Sequence, residues 1–582
     1  MRYGNEKFGF FEGCDDLKMS DVQTKSEQMT GADVLVSSLK QQNVTHLFGY
    51  PGGTILSLLD AMYGQQFELI LVRHEQGAAH AAEGYAKTTG KTGVLCVTSG
   101  PGASNAVTGI ADAMMDSVPM VVFAGQVGRG ALGTEAFQEL NVMAVTKPIV
   151  KANYQVRDIT DLQPTITQAF ELAQSGRKGP VLIELPKDVL DETTQFSRTP
   201  DSPALSTGST VDASTLEAGL TALSHAKRPI AIVGAGVGAA NATEAFNDFI
   251  HKWQLPVVAT LLGLGTVATT DPLFLGMGGM HGTYAANMAL ADTDFIVNIG
   301  SRFDDRLIPK RDGYAADKTI MHIDIDPKEL NKTFDTEYAV QADAQSALRI
   351  MLASQAPRPE TTAWRAKTQA DKQTHPTRAT SATTQSGFDP LAVIAAVGEA
   401  TLGDATVVTD VGQHQMWVAQ AYPFSRPNQI VSSGGLGTMG YGIPATIGAH
   451  FGRPDKPTVL FVGDGGFQMT SEELDVIAAE NLNIKIFLMN NHALGMIRQW
   501  QDEFYDHHRF KSLFDRQPDF EKLASAYGLQ YRRLSPITSL TDQMTAIFED
   551  PTAMLIDVQI PVDEQAWPMV APGHRNDDML GM

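Results

Sequence analysis

A carboxylate and a carboxamide stand at the ends of two short apolar runs late in the chain. Val459-Leu460-Phe461-Val462 closes on Gly463-Asp464-Gly465-Gly466, and Ile484-Lys485-Ile486-Phe487-Leu488-Met489 closes on Asn490-Asn491. Short runs rich in β-branched and aromatic residues, ended by a polar or glycine turn, read as buried parallel strands. Sheets of that kind present ligands at the carboxyl ends of their strands, where Asp464 and Asn491 would meet as two oxygen donors. The pair suits Mg²⁺, which keeps waters and takes its remaining ligands from phosphates. Glycines beside Asp464 let main-chain N–H groups approach a diphosphate closely. A second carboxylate, Glu75 in Arg73-His74-Glu75-Gln76-Gly77, follows another strand-like run. A charge at the end of a buried strand is poorly solvated, so it must pair or serve chemistry.

The elements that must position these groups alternate along the chain. An amphipathic helix beginning at Thr30, with Val34, Leu35 and Leu39 on one face, precedes strand-like runs at Leu69–Val72, Val94–Val97, Met120–Phe123 and Val181–Glu184. A second block starts at Pro229–Val233 and continues through Phe295–Ile299 and Ile320–Ile323; a third runs from Thr406–Thr409 to Met554–Val558. Alternating β and α signals mean doubly wound parallel sheets. The expected fold class is therefore α/β, with three such domains over residues 29–192, 214–354 and 389–582. Polar stretches over 193–213 and 355–388 read as linkers, and residues 1–28 as an N-terminal extension. That extension carries too many acids for a transit peptide, and Phe8–Phe11 is too short for the apolar core of a signal peptide.

Composition excludes several classes. A net charge of −22 over 582 residues argues against nonspecific nucleic-acid binding, which needs clustered Lys and Arg. Two cysteines, Cys14 and Cys96, make no disulfide framework and fit a reducing cytoplasm. No apolar stretch reaches the length of a membrane span.

Gly463-Asp464-Gly465 closed by Asn490-Asn491 resembles the cofactor motif of thiamine-diphosphate-dependent enzymes. The resemblance implies that Asp464, Asn491 and the main-chain carbonyl of Ala493 hold Mg²⁺. Gly465, Gly466, Leu494, Gly495 and Met496 would surround the thiamine diphosphate, together with Gln413 and His414 from Gly412–Trp417 and Gly437 and Met439 from Ser433–Gly440. Met439 would wedge between the two cofactor rings. Glu75, with Gly49-Tyr50-Pro51-Gly52-Gly53 upstream and Glu83–Ala86 downstream, resembles the pyrimidine-binding domain of the same enzymes. There a Glu hydrogen-bonds the pyrimidine ring nitrogen and favours the imino tautomer that acts as base. In that family the Glu and the diphosphate site come from different subunits, which implies a homodimer or homotetramer with active sites at the interface.

The middle block narrows the resemblance. Gly234-Ala235-Gly236, Gly279–Thr283, Gly300–Arg306, His322–Asp326 and Gln341–Asp343 resemble the FAD-binding domain of acetohydroxyacid synthases, and similarity to that family extends from about residue 30 to the end of the chain. It implies FAD contacts at Arg177, Gly234, Gly236, His281, Gly282, Gly300, Arg302, Asp304, Asp324 and Asp343, with the flavin structural rather than redox-active. It also implies reacting-centre roles for Glu75, Gly53, Gln138 and Lys187, and a substrate pocket of Phe137, Met496 and Trp500, in which Trp500 favours 2-ketobutyrate over a second pyruvate. Glu135 stands where the family usually has Asp, an exchange that keeps the charge, and Asn490–Leu494 departs from the commoner acidic residues, though a main-chain ligand at Ala493 survives any side chain. The implied activity is decarboxylation of pyruvate and transfer of its two-carbon remainder to pyruvate or 2-ketobutyrate, the first common step toward valine, leucine and isoleucine. A separate regulatory small subunit is a possible partner. The alternative is an FAD-linked pyruvate oxidase of the same architecture.

Overall fold

The computed structural model describes residues 27–582 apart from 66, 197–210, 378, 380 and 385. The expected extension therefore lies outside the described residues, save for Glu27 and Gln28. These two open a strand, Glu27–Thr30, that pairs antiparallel with Thr193–Phe196 at the start of the first expected linker.

Each of the three blocks forms a six-stranded sheet in which every pairing is parallel. Gly93–Val97, Met120–Gln126 and Pro180–Pro186 are buried at every position, as parallel strands covered by helices on both faces must be. Counting each domain's own strands, the first and third sheets share the order 2-1-3-4-6-5, whereas the middle sheet runs 3-2-1-4-5-6. Ligands of such sheets bind where the order reverses. In the third sheet that point lies between Thr406–Thr409 and Thr458–Gly463, the strands that deliver Asp410 and Asp464. In the middle sheet it lies between Pro229–Val233 and Phe295–Ile299, which deliver Gly234 and Gly300.

The helix expected from Thr30 spans Gly31–Gln41, and Thr30 closes a capping box in which Asp33 N–H donates to the Thr30 hydroxyl at 3.1 Å and Thr30 N–H to the Asp33 carboxylate at 3.1 Å. Strands that the hydrophobic pattern left unmarked are short ones near sheet edges, among them Ala152–Gln155, Phe274–Met277 and Gln530–Arg533. The polar stretch over 355–388 carries a helix, Thr362–Thr374, whose buried face is only Trp364 and Thr368. Trp364 Nε1–H donates to the carbonyl of Pro229 at 3.0 Å, so this segment is clamped to the middle sheet rather than free.

Two helices join the first and third domains. Glu75–Thr89 crosses Gly442–Gly452 with main chain on main chain: a Cβ at Gly84 would lie 2.0 Å from the Ala445 carbonyl oxygen, and one at Gly448 would lie 1.7 Å from that of Ala81. Only glycine allows that approach. One apolar cluster runs from Phe48, Val97 and Val122 of the first domain into Val408, Leu460 and Leu488 of the third. Another joins Val233, Phe249 and Ile323 of the middle domain to Val407, Phe461 and Ile556 of the third.

Candidate active site

Strand pairing sets Gly463 beside Met489, so Asp464 and Asn491 leave the sheet next to each other. Their exposures are 1% and 5%. Asp464 Oδ1 accepts the N–H of Gly465 at 3.0 Å, and Gln517 Nε2–H donates both to Asp464 Oδ2 and, at 3.0 Å, to Asn490 Oδ1. Asn491 Oδ1 accepts Ala493 N–H at 3.1 Å, and its amide donates to Gln413 Oε1 at 3.2 Å. Burial pushes the Asp464 carboxyl up to about 7. A carboxyl that resists ionising in isolation ionises readily once a cation is set beside it, so the oxygen donor set of Asp464 and Asn491 fits Mg²⁺.

These groups open on a cavity of about 690 Å³. Its lining includes His414, Gly437, Met439, Gly495, Met496 and Trp500, which brings together the thiamine contacts and two of the three pocket residues expected from the sequence. Gly437 has φ +73°, and a Cβ there would meet no atom within 4 Å, so it would stand in the open cavity. Cβ atoms at Gly495 and Gly465 would press on lining side chains, lying 2.0 Å from Gln413 Oε1 and 2.6 Å from Leu494 Cδ2. Three buried ring nitrogens of lining residues, His414 Nε2, His281 Nδ1 and Trp500 Nε1, have no hydrogen-bond partner. Burial holds His414 down to about 4, so its ring is neutral. Unpartnered buried polar atoms are costly, and a polar ligand in this cavity would relieve them. The cradle therefore fits a diphosphate-bearing cofactor.

A second cavity, of about 400 Å³, lies at the switch point of the middle sheet. Gly234, Gly236 and Gly300 form a closely packed floor: a Cβ at Gly236 would lie 2.7 Å from Gly300 Cα, and one at Gly234 would lie 2.2 Å from the Gly300 carbonyl oxygen. Asp324, Asp343, Arg177, Arg302 and Asp304 are on its wall. Asp324 is pushed up to about 6 by burial and accepts Asp326 N–H at 2.8 Å, while Asp343 caps the following helix through Ser346 N–H. The glycine floor and the flanking Arg302 suit a dinucleotide such as FAD. Arg177 is not a free fork. Its Nε–H donates to Ser117 Oγ at 2.9 Å, and its Nη1 lies 3.4 Å from both Asp326 and Glu329. His281 lines the larger cavity instead of this one, and Gly282 lines neither. A Cβ at Gly282 would lie 2.7 Å from Gly279 N, so that glycine serves a tight turn. Both cavities share a wall at Met115, Thr260, Leu261, Arg302, Asp304 and Gly434-Gly435.

The remaining expected residues lie elsewhere. Glu75, Gly53, Phe137, Gln138 and Lys187 all sit on the first domain and line neither cavity. Glu75 is the first residue of its helix and accepts Asn105 Nδ2–H at 2.9 Å. Gln138 lies beside it around the 98–102 turn: a Cβ at Gly100 would lie 2.8 Å from the Gln138 carbonyl oxygen, and one at Gly102 would lie 3.4 Å from Glu75 Oε1. A Cβ at Gly53 would meet nothing within 4 Å, and Phe137 is 88% exposed. Glu75 and Gln138 thus neighbour one another on the first domain, apart from both cavities.

Two residues were not singled out from the sequence. Asp410 is buried and accepts N–H groups from Val411, Gly440 and Gly442 at 2.7–3.1 Å, fixing the turn behind Met439. Its position at the end of a buried strand was the available signal, the same one that marked Glu75. Gln517, on Asp464, stands in a polar loop with no local signal.

Comparison with known proteins accords with this arrangement. Residues 29–145 match the N-terminal thiamine pyrophosphate (TPP) binding domain of thiamine pyrophosphate enzymes, 216–351 their central domain, and 410–558 their C-terminal TPP binding domain. The chain is 46% identical over 556 residues to the acetolactate synthase large subunit of Lactococcus lactis subsp. lactis, covering 95% of this chain and 96% of that protein. It is 41% identical to the acetolactate synthase large subunit of Corynebacterium glutamicum, over 95% of this chain and 90% of that one. It is 40% identical to the acetolactate synthase isozyme 1 large subunit of Escherichia coli, over 97% and 100%. Similarity of this extent through all three domains means that the chain belongs to the acetolactate synthase large-subunit family of thiamine pyrophosphate enzymes.

Proposed function

We propose that this chain is the catalytic subunit of an acetolactate synthase. It decarboxylates pyruvate and joins the two-carbon remainder to a second pyruvate, giving 2-acetolactate, or to 2-ketobutyrate, giving 2-aceto-2-hydroxybutyrate. The observation that carries the reading is the buried Asp464–Asn491 pair beside the unpartnered His414 Nε2, on a glycine-lined cavity that also includes Met439 and Trp500.

Thiamine diphosphate, when bound, supplies the carbanion chemistry that side chains lack. The chain's own residues bind and orient. Asp464, Asn491 and the Ala493 carbonyl would hold Mg²⁺, and Gly465, Gly466, Leu494 and Gly495, with Gln413, His414, Gly437 and Met439, would surround the thiamine diphosphate. Glu75 would hold a proton at the pyrimidine ring nitrogen, and its place apart from both cavities of its own chain supports its doing so in the site of a second copy. Gly53 leaves room at the reacting carbon. Gln138, Lys187 and Phe137 arrive with Glu75 from that copy, and with Met496 and Trp500 they shut out water and size the acceptor pocket. Gly234, Gly236, Gly300 and Arg302 would hold FAD in the second cavity, where it would serve as a structural group. The subunit works as a homodimer or homotetramer in the cytoplasm. The relatives are named large subunits, which supports a separate regulatory small subunit. No helix among the described residues is long and apolar enough to cross a membrane.

The test is anaerobic incubation of the purified protein with pyruvate, thiamine diphosphate, Mg²⁺ and FAD, following acetolactate and flavin absorbance together. Acetolactate formed while the flavin stays oxidised is the expected result. Flavin bleaching at the rate of pyruvate loss would make the protein an oxidase instead.

A further inference from the structure

The wall between the two cavities is held by the first domain. Lys87, near the end of the Glu75–Thr89 helix, donates to Asp116 Oδ2 at 2.7 Å and to the main-chain carbonyl of Ser432 at 2.7 Å. Asp116 Oδ2 also accepts Gly434 N–H at 3.0 Å, and its Oδ1 accepts Gly435 N–H at 2.7 Å. Next to it, Ser433 Oγ–H donates to Asp112 Oδ2 at 2.6 Å and accepts Thr438 N–H at 2.9 Å. Residues 432, 433, 434 and 435 are thus each gripped by a first-domain side chain. The Asp116 side chain is 1% exposed and that of Lys87 is 11% exposed. Hydrogen bonds to buried charged groups are the stronger kind.

Gly434 and Gly435 line both cavities, and neither position has room for a side chain. A Cβ at Gly435 would lie 2.9 Å from Asp116 Oδ1, and one at Gly434 would lie 2.8 Å from Leu262 Cγ in the middle domain. All three domains meet at this dipeptide. The segment then continues to Gly437 and Met439 on the larger cavity. The same buried cluster brings ligand atoms of His80, Glu83 and Asp112 within 4.8 Å of one another. A metal ion is not needed there, because the Lys87 ammonium lies 3.8 Å from Glu83 and already supplies the cation.

We infer that Lys87 and Asp116 are positioning residues for both cofactors: through Ser432–Gly435 they set the partition between the flavin cavity, which Asp116 also lines, and the thiamine cavity, which neither of them lines. This deepens the reading given under Proposed function and rests on it for the identity of the two ligands. A single change at the pair should therefore weaken two chemically unrelated ligands together. A general loss of stability would lower the melting temperature without that linked signature.

The test uses Asp116→Asn, which keeps the shape and removes the charge, and Lys87→Met, with Lys87→Arg as the conservative variant. FAD binding is read by quenching of flavin fluorescence, and thiamine diphosphate binding with Mg²⁺ by calorimetry, on protein whose folded fraction is fixed by thermal melting. The expected result is a rise in both dissociation constants by about tenfold, the scale of one lost hydrogen bond to a charge. Lys87→Arg should recover most of it. If the single variants fold poorly, Lys87→Met/Asp116→Asn removes both members of the pair together. A shift in only one ligand, or a fall in melting temperature with both affinities unchanged, would overturn the inference. Wild-type protein that binds both ligands but makes no acetolactate would instead count against the proposed activity and leave the positioning role standing.

Discussion

Glu473 is the side chain through which the third domain holds the turn that carries Glu75. It is fully buried, and its carboxylate accepts the main-chain N–H groups of Arg73 at 3.1 Å and His74 at 3.0 Å. Gly77 makes the approach possible, because a Cβ there would lie 2.2 Å from Glu473 Oε1. Burial pushes the carboxyl from 4.5 up to about 7, against the pull of those two N–H groups. Its folded-state value lies above its unfolded one, so the folded chain binds the extra proton between these pH values. The stabilisation is complete below about 4.5 and is lost as pH rises through about 7. At about 1.4 kcal/mol per tenfold change in proton affinity, the window is worth about 3 kcal/mol. Glu473→Gln keeps a carbonyl oxygen for both N–H groups and removes the titration. Urea unfolding followed by intrinsic fluorescence, at a series of pH values from 4.5 to 8, should show the variant gaining on wild type by about 3 kcal/mol as pH rises. Parallel curves for the two proteins would refute the reasoning. Glu473→Ala, which strands both N–H groups, should cost about 2–5 kcal/mol at any pH in this range and should loosen the Glu75 turn.

Glu75→Gln should slow proton exchange at the thiazolium C2 and turnover together by about 10²–10⁴-fold; wild-type exchange in that variant, measured by NMR, would remove Glu75 from the mechanism. Trp500→Leu should lower the preference for 2-ketobutyrate by about 1–3 kcal/mol while sparing pyruvate condensation, and an unchanged product ratio in a competition assay would reject it. Gly236→Ala puts a methyl group 2.7 Å from Gly300 Cα, so it should cost about 1–3 kcal/mol of strain and weaken flavin retention on gel filtration far more than thiamine binding.

The fold was legible where strands are long and wholly buried. Val181–Glu184 and Phe295–Ile299 announce themselves as apolar runs because both faces are covered. Gln530–Arg533 does not, because an edge strand meets solvent and carries arginines. The helix over Thr362–Thr374 hid for a related reason: with Trp364 and Thr368 as its only buried residues, it has no apolar stripe to read. At the site, Asp464 and Asn491 were legible because strand ends in a parallel sheet converge. His281 and Arg177 were placed by resemblance to motifs, and side-chain placement is decided by neighbours the motif does not contain: Arg177 by Ser117, Asp326 and Glu329, and His281 by the turn at Gly279–Gly282. Lys87 and Asp116 were out of reach because their meaning lies in contacts with residues 432–435, more than 300 positions away.

The apolar clusters that cross domain boundaries have a consequence for how the molecule comes apart. Val97 and Leu460 belong to one cluster, and Val233 and Phe461 to another, so the third sheet has the first domain on one side and the middle domain on the other. Removing either neighbour would bare a core surface instead of a polar interface. The three sheets are therefore units of architecture and not of unfolding. Denaturation should take them together in one cooperative transition, and the slowest-exchanging amides of the Glu75–Thr89 helix should open only with the whole molecule.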